Sequence, residues 1–222
     1  MDLIRRVLGR PVAPRVQRSP ATRPRTVLPQ EQLHAFWRDP DKVNRPEEYL
    51  AHGGRSLFLL RFLSPYLRPG ASVLEIGCNV GRNLAHLHDA GYRRLVGIEI
   101  NGEALAVLRA TYPALAATAT LVNAPVEEAI RELPDRSVDI VFTMAVLEHL
   151  HPDSEWVFDE MVRVTGSTIV TVEDEHGVSR HHTPRDYQAV FEARGLHQVA
   201  HESLDADAGF GTPFEARALQ RP

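Results

Sequence analysis

Val73-Leu74-Glu75-Ile76-Gly77-Cys78-Asn79-Val80-Gly81-Arg82-Asn83-Leu84 is the stretch whose reading decides the fold. Ser72 to Ile76 is a short apolar, β-branched run of the length of a buried strand. Two glycines four positions apart follow, and Leu84-Ala85-His86-Leu87 opens a helical pattern. The spacing predicts a strand, a tight turn and a helix. Glycine has no Cβ, so such a turn is expected to bring bare backbone N–H groups and a helix N-terminus up to a ligand.

The same spacing narrows the ligand. A dinucleotide-binding turn reads G-x-G-x-x-G, with a middle glycine that admits a pyrophosphate. Here Asn79 stands where the middle glycine would be. Glu75, at the strand end, would repel a pyrophosphate and receive a cation such as an α-amino group or a sulfonium. A second buried-strand run, Arg94 to Ile100, carries Glu99 near its end and is again followed by a helical pattern. Open α/β sheets bind ligands at that edge.

On these residues the sequence resembles the class I S-adenosylmethionine-dependent methyltransferases, whose first motif reads close to E/D-x-G-x-G/N-x-G. The resemblance covers roughly residues 45–220 and is most specific at 73–83, 95–101 and 138–150. It implies an α/β, Rossmann-like seven-stranded sheet, mostly parallel with the last strand antiparallel, with helices on both faces and an N-terminal helical cap. The division expected is an arm at 1–29, a cap at 30–70 and a core at 71–222. The implied cofactor is S-adenosylmethionine, with S-adenosylhomocysteine as product. Its implied contacts are Glu75, Gly77, Cys78, Asn79, Gly81 and Asn83 at the first turn, and Glu99, Ile100 and Asn101 at the second strand end. Asn123 and Ala124 follow at the third, as the loop against the adenine edge, and Met144 after the fourth. Arg55, in the cap, is the candidate partner for the cofactor carboxylate, because a guanidinium pairs bidentately with a carboxylate.

Composition sets the outer limits. The chain has 222 residues, net charge −4 and a sequence pI near 6.3, which speaks against non-specific nucleic-acid binding. No apolar run approaches the ~18 residues of a membrane span. A single cysteine excludes an internal disulfide framework and fits a reducing, cytoplasmic compartment. Lys42 is the only lysine, a bias suggesting a GC-rich bacterial genome, and it leaves little room for lysine catalysis. Residues 1–29 hold seven arginines and five prolines, and are expected to form a flexible arm.

Helices are expected from Glu31 to the stop at Pro40, over Pro46–Leu63, over Glu155–Val164 and from Thr183 through Ala193. Further strands are expected at Ala119–Val122, Val138–Phe142, Thr168–Val172, Leu196–Ser203 and Phe214–Leu219, the last two as a hairpin.

Methyl transfer from a sulfonium needs chiefly positioning, with a base where the acceptor is a hydroxyl. His149, in the Leu147-Glu148-His149-Leu150 pattern shared with small-molecule and quinone-type O-methyltransferases, is the candidate base. Glu173, Arg180 and His181 are candidate acceptor contacts. A divalent metal held by that polar cluster with Glu148 or His149 is possible but not favoured. No Asn-Pro-Pro-Tyr-like segment, Pro-Cys nucleophile or Lys-Asp-Lys-Glu set is present, so a small-molecule or peptide acceptor is expected and nucleic acid is not. Two other readings stay open: a non-catalytic cofactor-binding or regulatory subunit, and a nicotinamide-dependent oxidoreductase. The acceptor's identity and the oligomeric state do not follow from the sequence.

Overall fold

Short apolar runs set seven strands side by side: β1 (Ser72–Ile76), β2 (Arg94–Glu99), β3 (Thr120–Asn123), β4 (Val138–Met144), β5 (Thr165–Glu173), β6 (His197–Leu204) and β7 (Phe214–Gln220). The computed structural model describes residues 26–39, 45–51, 53–204 and 213–222. Most of the expected arm, residues 1–25, lies outside these. The spatial order is β3-β2-β1-β4-β5-β7-β6. The first five strands pair in parallel, and β7 runs antiparallel to both β5 and β6. This is the mostly parallel seven-stranded sheet that the sequence led us to expect.

Among the described residues, helices α1 (Gln30–Arg38), α2 (Gly53–Leu63), α3 (Arg82–Asp89), α4 (Gly102–Thr111), α5 (Pro113–Ala116), α6 (Val126–Ala129), α7 (Trp156–Val164) and α8 (Tyr187–Glu192) accompany the sheet. Both sheet faces are covered, as a parallel sheet requires. On one face Leu59, Leu63, Leu84, Leu87 and Leu108 pack over Val73, Ile140 and Phe142. On the other, Val157, Phe158, Met161, Tyr187 and Phe191 pack over Leu74, Ile76 and Val141. Successive residues of β1 and β4 thus enter opposite cores, the period of two that a strand dictates.

Two helices differ from expectation. The run Pro46–Leu63 is a 3₁₀ turn at Pro46–Ala51 followed by α2. Gly53 and Gly54 stand at the break, each about 1 kcal/mol poorer than alanine within a helix. The helix expected from Thr183 begins at Tyr187, where the Asp186 side chain caps it by accepting the Ala189 N–H at 3.1 Å. Pro184 disfavours a helical Thr183. No helix among the described residues is long and apolar enough to cross a membrane.

The sheet order reverses between β1 and β4, the chain leaving β1 for β2 on one side and β4 for β5 on the other. Ligands of open α/β sheets bind in the crevice at that reversal.

Candidate functional site

A cavity of about 470 Å³ opens at this crevice, within the range of small-molecule and cofactor sites. One end is built by the turn after β1. Gly77, Asn79 and Gly81 have φ of 72°, 47° and 72°, left-handed values that glycine adopts freely and asparagine tolerates. The expectation of bare N–H groups is overturned here. Gly77 and Cys78 N–H donate to the Ile98 carbonyl at 2.8 and 3.0 Å, and Gly81 N–H to the Cys78 carbonyl at 2.8 Å. Asn79 N–H donates to Glu99, and Val80 N–H to the Asn79 side chain, both at 2.8 Å. Every amide from 77 to 81 is spent inside the protein, so the turn offers nothing to a pyrophosphate.

Its close packing comes from elsewhere. A Cβ on Gly77 would lie 2.3 Å from Val146 Cγ2 and one on Gly81 2.3 Å from Leu108 Cδ1. Cys78 is buried against Gly97, and burial pushes its thiol well up, so it is no thiolate nucleophile.

Glu75 is the focus of this end. Its Oε1 accepts from Asn83 Nδ2 at 2.7 Å, whereas its Oε2 is buried without a hydrogen-bond partner. Burial raises the carboxyl to about 8, against smaller opposing effects of Asn83 and the Arg82 charge. Asn83 is itself held by Ser56 Oγ at 2.6 Å, and Arg82 Nε donates to that same hydroxyl at 2.6 Å. Arg82 also reaches the Tyr49 carbonyl. The segment before the sheet is thereby tied to the carboxylate inside it. Glu99 accepts the Asn79 and Asn101 N–H groups, one on each oxygen at 2.8 Å, and burial raises its pKa too.

The other end is assembled from remote segments. Glu148 and His149 come from the 3₁₀ turn Leu147–His149, and His181 and His182 from the loop before α8. His149 Nδ1 lies 2.9 Å from the His181 carbonyl, which can only accept, so Nδ1 carries the proton and Nε2 the lone pair. Burial lowers His149 to about 4. His182 is shifted upward by its hydrogen bond to Glu148, 3.3 Å away. α1 roofs this end: Phe36 stacks on His181 at 4.0 Å and Trp37 tilts over His149 at 4.2 Å between ring centroids. The helix is pinned by Glu127 Oε1, which accepts from Gln30 at 3.2 Å and Ser154 at 3.0 Å and lies 3.2 Å from His34 Nε2.

Of the residues singled out in the sequence, Arg55, Glu75, Gly77, Cys78, Asn79, Asn83, Glu99, Ile100, Asn101, Ala124, Met144, His149 and His181 line this one cavity. Four do not. Gly81 is buried under Leu108. Asn123 donates its side-chain NH2 to the Glu99 and Ile100 carbonyls at 2.9 and 3.2 Å, bracing the turn. Glu173 is fully buried, and its Oε2 accepts the Val146 and Leu147 N–H groups at 2.8 and 3.0 Å. It anchors the loop after β4 and is not an acceptor contact. Arg180 is exposed, and only its backbone carbonyl is engaged, by Leu28 N–H at 3.0 Å.

Tyr49, Arg82, Trp37 and Glu127 line the cavity and were not foreseen. Trp37 lies in the helix expected from Glu31; nothing local marked Tyr49 or Arg82.

Comparison with known proteins agrees with this architecture. Residues 74–168 match the family model described as a methyltransferase domain. A protein of Mycolicibacterium smegmatis named as a "probable S-adenosylmethionine-dependent methyltransferase" is 34% identical over 89 residues, 40% of this chain and 32% of its own. An O-methyltransferase of Pyrenophora dematioidea is 28% identical over 117 residues, 52% of this chain and 42% of its own. The chain thus spans less than half the length of either curated relative. Magnesium protoporphyrin IX methyltransferase from Synechocystis PCC 6803, solved with bound SAH, aligns with a TM-score of 0.64 at 12% identity, over 86% of this chain and 94% of that one, a likeness of fold. Residues 74–168 thus resemble a methyltransferase domain, and the sheet shares its fold with that solved methyltransferase.

Proposed function

We propose that this chain is an S-adenosylmethionine-dependent methyltransferase that transfers the methyl group to an oxygen of a small acceptor. The observation that carries the reading is Glu75: a buried carboxylate with one unpartnered oxygen in a cavity whose neighbouring turn has no amide left for a phosphate. An unpartnered buried acceptor is costly, and a cationic ligand relieves that cost. In this reading Glu75 faces the cationic amino-acid part of the cofactor and Arg55 its carboxylate. Glu99 takes the ribose hydroxyls with its remaining lone pairs, and Ile100, Asn101 and Ala124 border the base. Met144 and the loop after it lie along the methyl group.

In the transfer, the acceptor oxygen forms a bond to the methyl carbon as the sulfur–carbon bond breaks, and the electron pair stays on sulfur. The proton of a hydroxyl acceptor passes to the Glu148–His149 pair in the cavity lining; a carboxylate acceptor has none to give. The aromatic roof of Phe36 and Trp37 suits a flat or apolar acceptor body. Oxygen as the target also draws on the Pyrenophora relative's name.

A screen of hydroxy and carboxylic acids with methyl-labelled cofactor tests this. Label is expected in an ether or ester product; label found only in amines or thiols would contradict the oxygen assignment.

A further inference from the structure

We propose that Glu148, His149 and His182 form a binding site for one divalent transition-metal ion at the roofed end of the cavity. The three potential ligand atoms converge: Glu148 Oε1 lies 3.3 Å from His182 Nε2 and 3.5 Å from His149 Nε2, and all three fall within 4.8 Å of one another. With bonds of 2.0–2.2 Å, ligand atoms around one ion stand about 3.0–3.5 Å apart in octahedral or tetrahedral geometry. Two of the three separations already match that spacing.

The remaining polar atom of each residue is engaged from outside the cluster. His149 Nδ1–H donates to the His181 carbonyl at 2.9 Å, His182 Nδ1 lies 2.8 Å from Ser179 Oγ, and Glu148 Oε2 accepts the Asp174 N–H at 2.5 Å. Such outer partners are what orients metal ligands and fixes their tautomers. His149 Nε2 and Glu148 Oε1 stand 3.5 Å apart, a separation that one shared ion would bridge.

Two imidazoles and one carboxylate favour zinc, iron, cobalt or manganese over magnesium or calcium, which take mainly oxygen ligands. All three residues line the cavity, so open coordination positions would face it, as in catalytic rather than structural sites. What the ion would do there rests on the methyltransferase reading: an acceptor oxygen bound to it loses its proton more readily. With the ion bound, His149 and Glu148 would serve as ligands, and the acceptor's proton would pass to solvent water in place of that pair.

The test uses the full chain, stripped with a chelator and titrated with Co²⁺ alone, without S-adenosylmethionine. Wild-type protein is expected to take one equivalent and to develop visible d–d absorption. His182→Ala is expected to lose affinity by more than the about 10–100-fold that loss of an outer partner costs. Its melting temperature and S-adenosylmethionine affinity should stay near wild type. Should that variant fail to fold, His182→Gln replaces it. Absence of stoichiometric Co²⁺ uptake by wild type, or uptake by the His182 variant equal to wild type, would overturn the site and leave a hydrogen-bonded cluster. Cobalt uptake without S-adenosylmethionine binding would overturn only the donor reading.

Discussion

The two ends of the cavity are built in opposite ways. At one end Glu75, Asn79, Asn83 and Glu99 sit within two successive strand–turn–helix units and bond one another: the Asn83 side chain donates to Glu75, and the Asn79 and Asn101 N–H groups to Glu99. At the other, Trp37, His149 and His182 arrive from three segments separated by over thirty residues each, and meet through ring stacking and side-chain hydrogen bonds. The first end is held by bonds within these two units and by the segment before the sheet, through Ser56 and Tyr49. The second depends on packing between distant segments, the kind of surface that can change its occupant. Under the proposed function, the donor takes the first end and the acceptor the second.

The largest expected effect tests the rigidity of the first end. Gly77→Val would place a branched side chain against Val146 at a left-handed φ, costing about 2 kcal/mol or more. Cofactor binding should be lost by calorimetry, with a lower melting temperature; wild-type affinity would show that the turn is not the donor site. Next is charge. Glu75→Gln should weaken S-adenosylmethionine binding by about 1.5–3 kcal/mol, the value of a hydrogen bond to a charged group. An unchanged dissociation constant would remove Glu75 from the site.

The same residue gives a pH dependence whose sign is determined. Without ligand Glu75 keeps its proton up to about pH 8. A cationic ligand favours the ionised form, so binding at pH 7 releases a proton. Affinity should rise with pH by at most about tenfold per unit and level off above about pH 8. Calorimetry in buffers of different ionisation enthalpy reads the released proton, and Glu75→Gln should abolish it. Falling affinity over that range would contradict the assignment.

The smallest effect sharpens the contrast between the ends. Trp37→Ala should raise the acceptor KM about tenfold, the scale of an aromatic contact with its buried area, and leave cofactor affinity within about twofold. Equal losses of both would mean that α1 covers donor and acceptor alike.

The same division governs what the sequence disclosed. Strand β1, the Gly77–Gly81 turn and both acidic strand ends were legible because they depend on neighbours in the chain. Even there the reason differed from expectation: the glycines serve dense packing and left-handed φ, not amide donation, since the amides are internally paired. Glu173 was misread because a strand-end acid looks alike whether it faces the cavity or, as here, turns inward to hold the Val146 and Leu147 amides. The Asn123 amide has a bracing role that was equally hidden, its NH2 reaching back 23 and 24 residues to the turn. Arg82 was invisible as a tether because its partners, Ser56 and Tyr49, lie in a segment joined to it only by folding.

The most direct measurement is a parallel calorimetric titration of the purified chain with S-adenosylmethionine, S-adenosylhomocysteine and NAD. Binding of the first two and none of NAD is expected, from a cavity with an unpartnered buried carboxylate and no free amide at its turn. Binding of NAD, or of none of the three, would contradict the donor site.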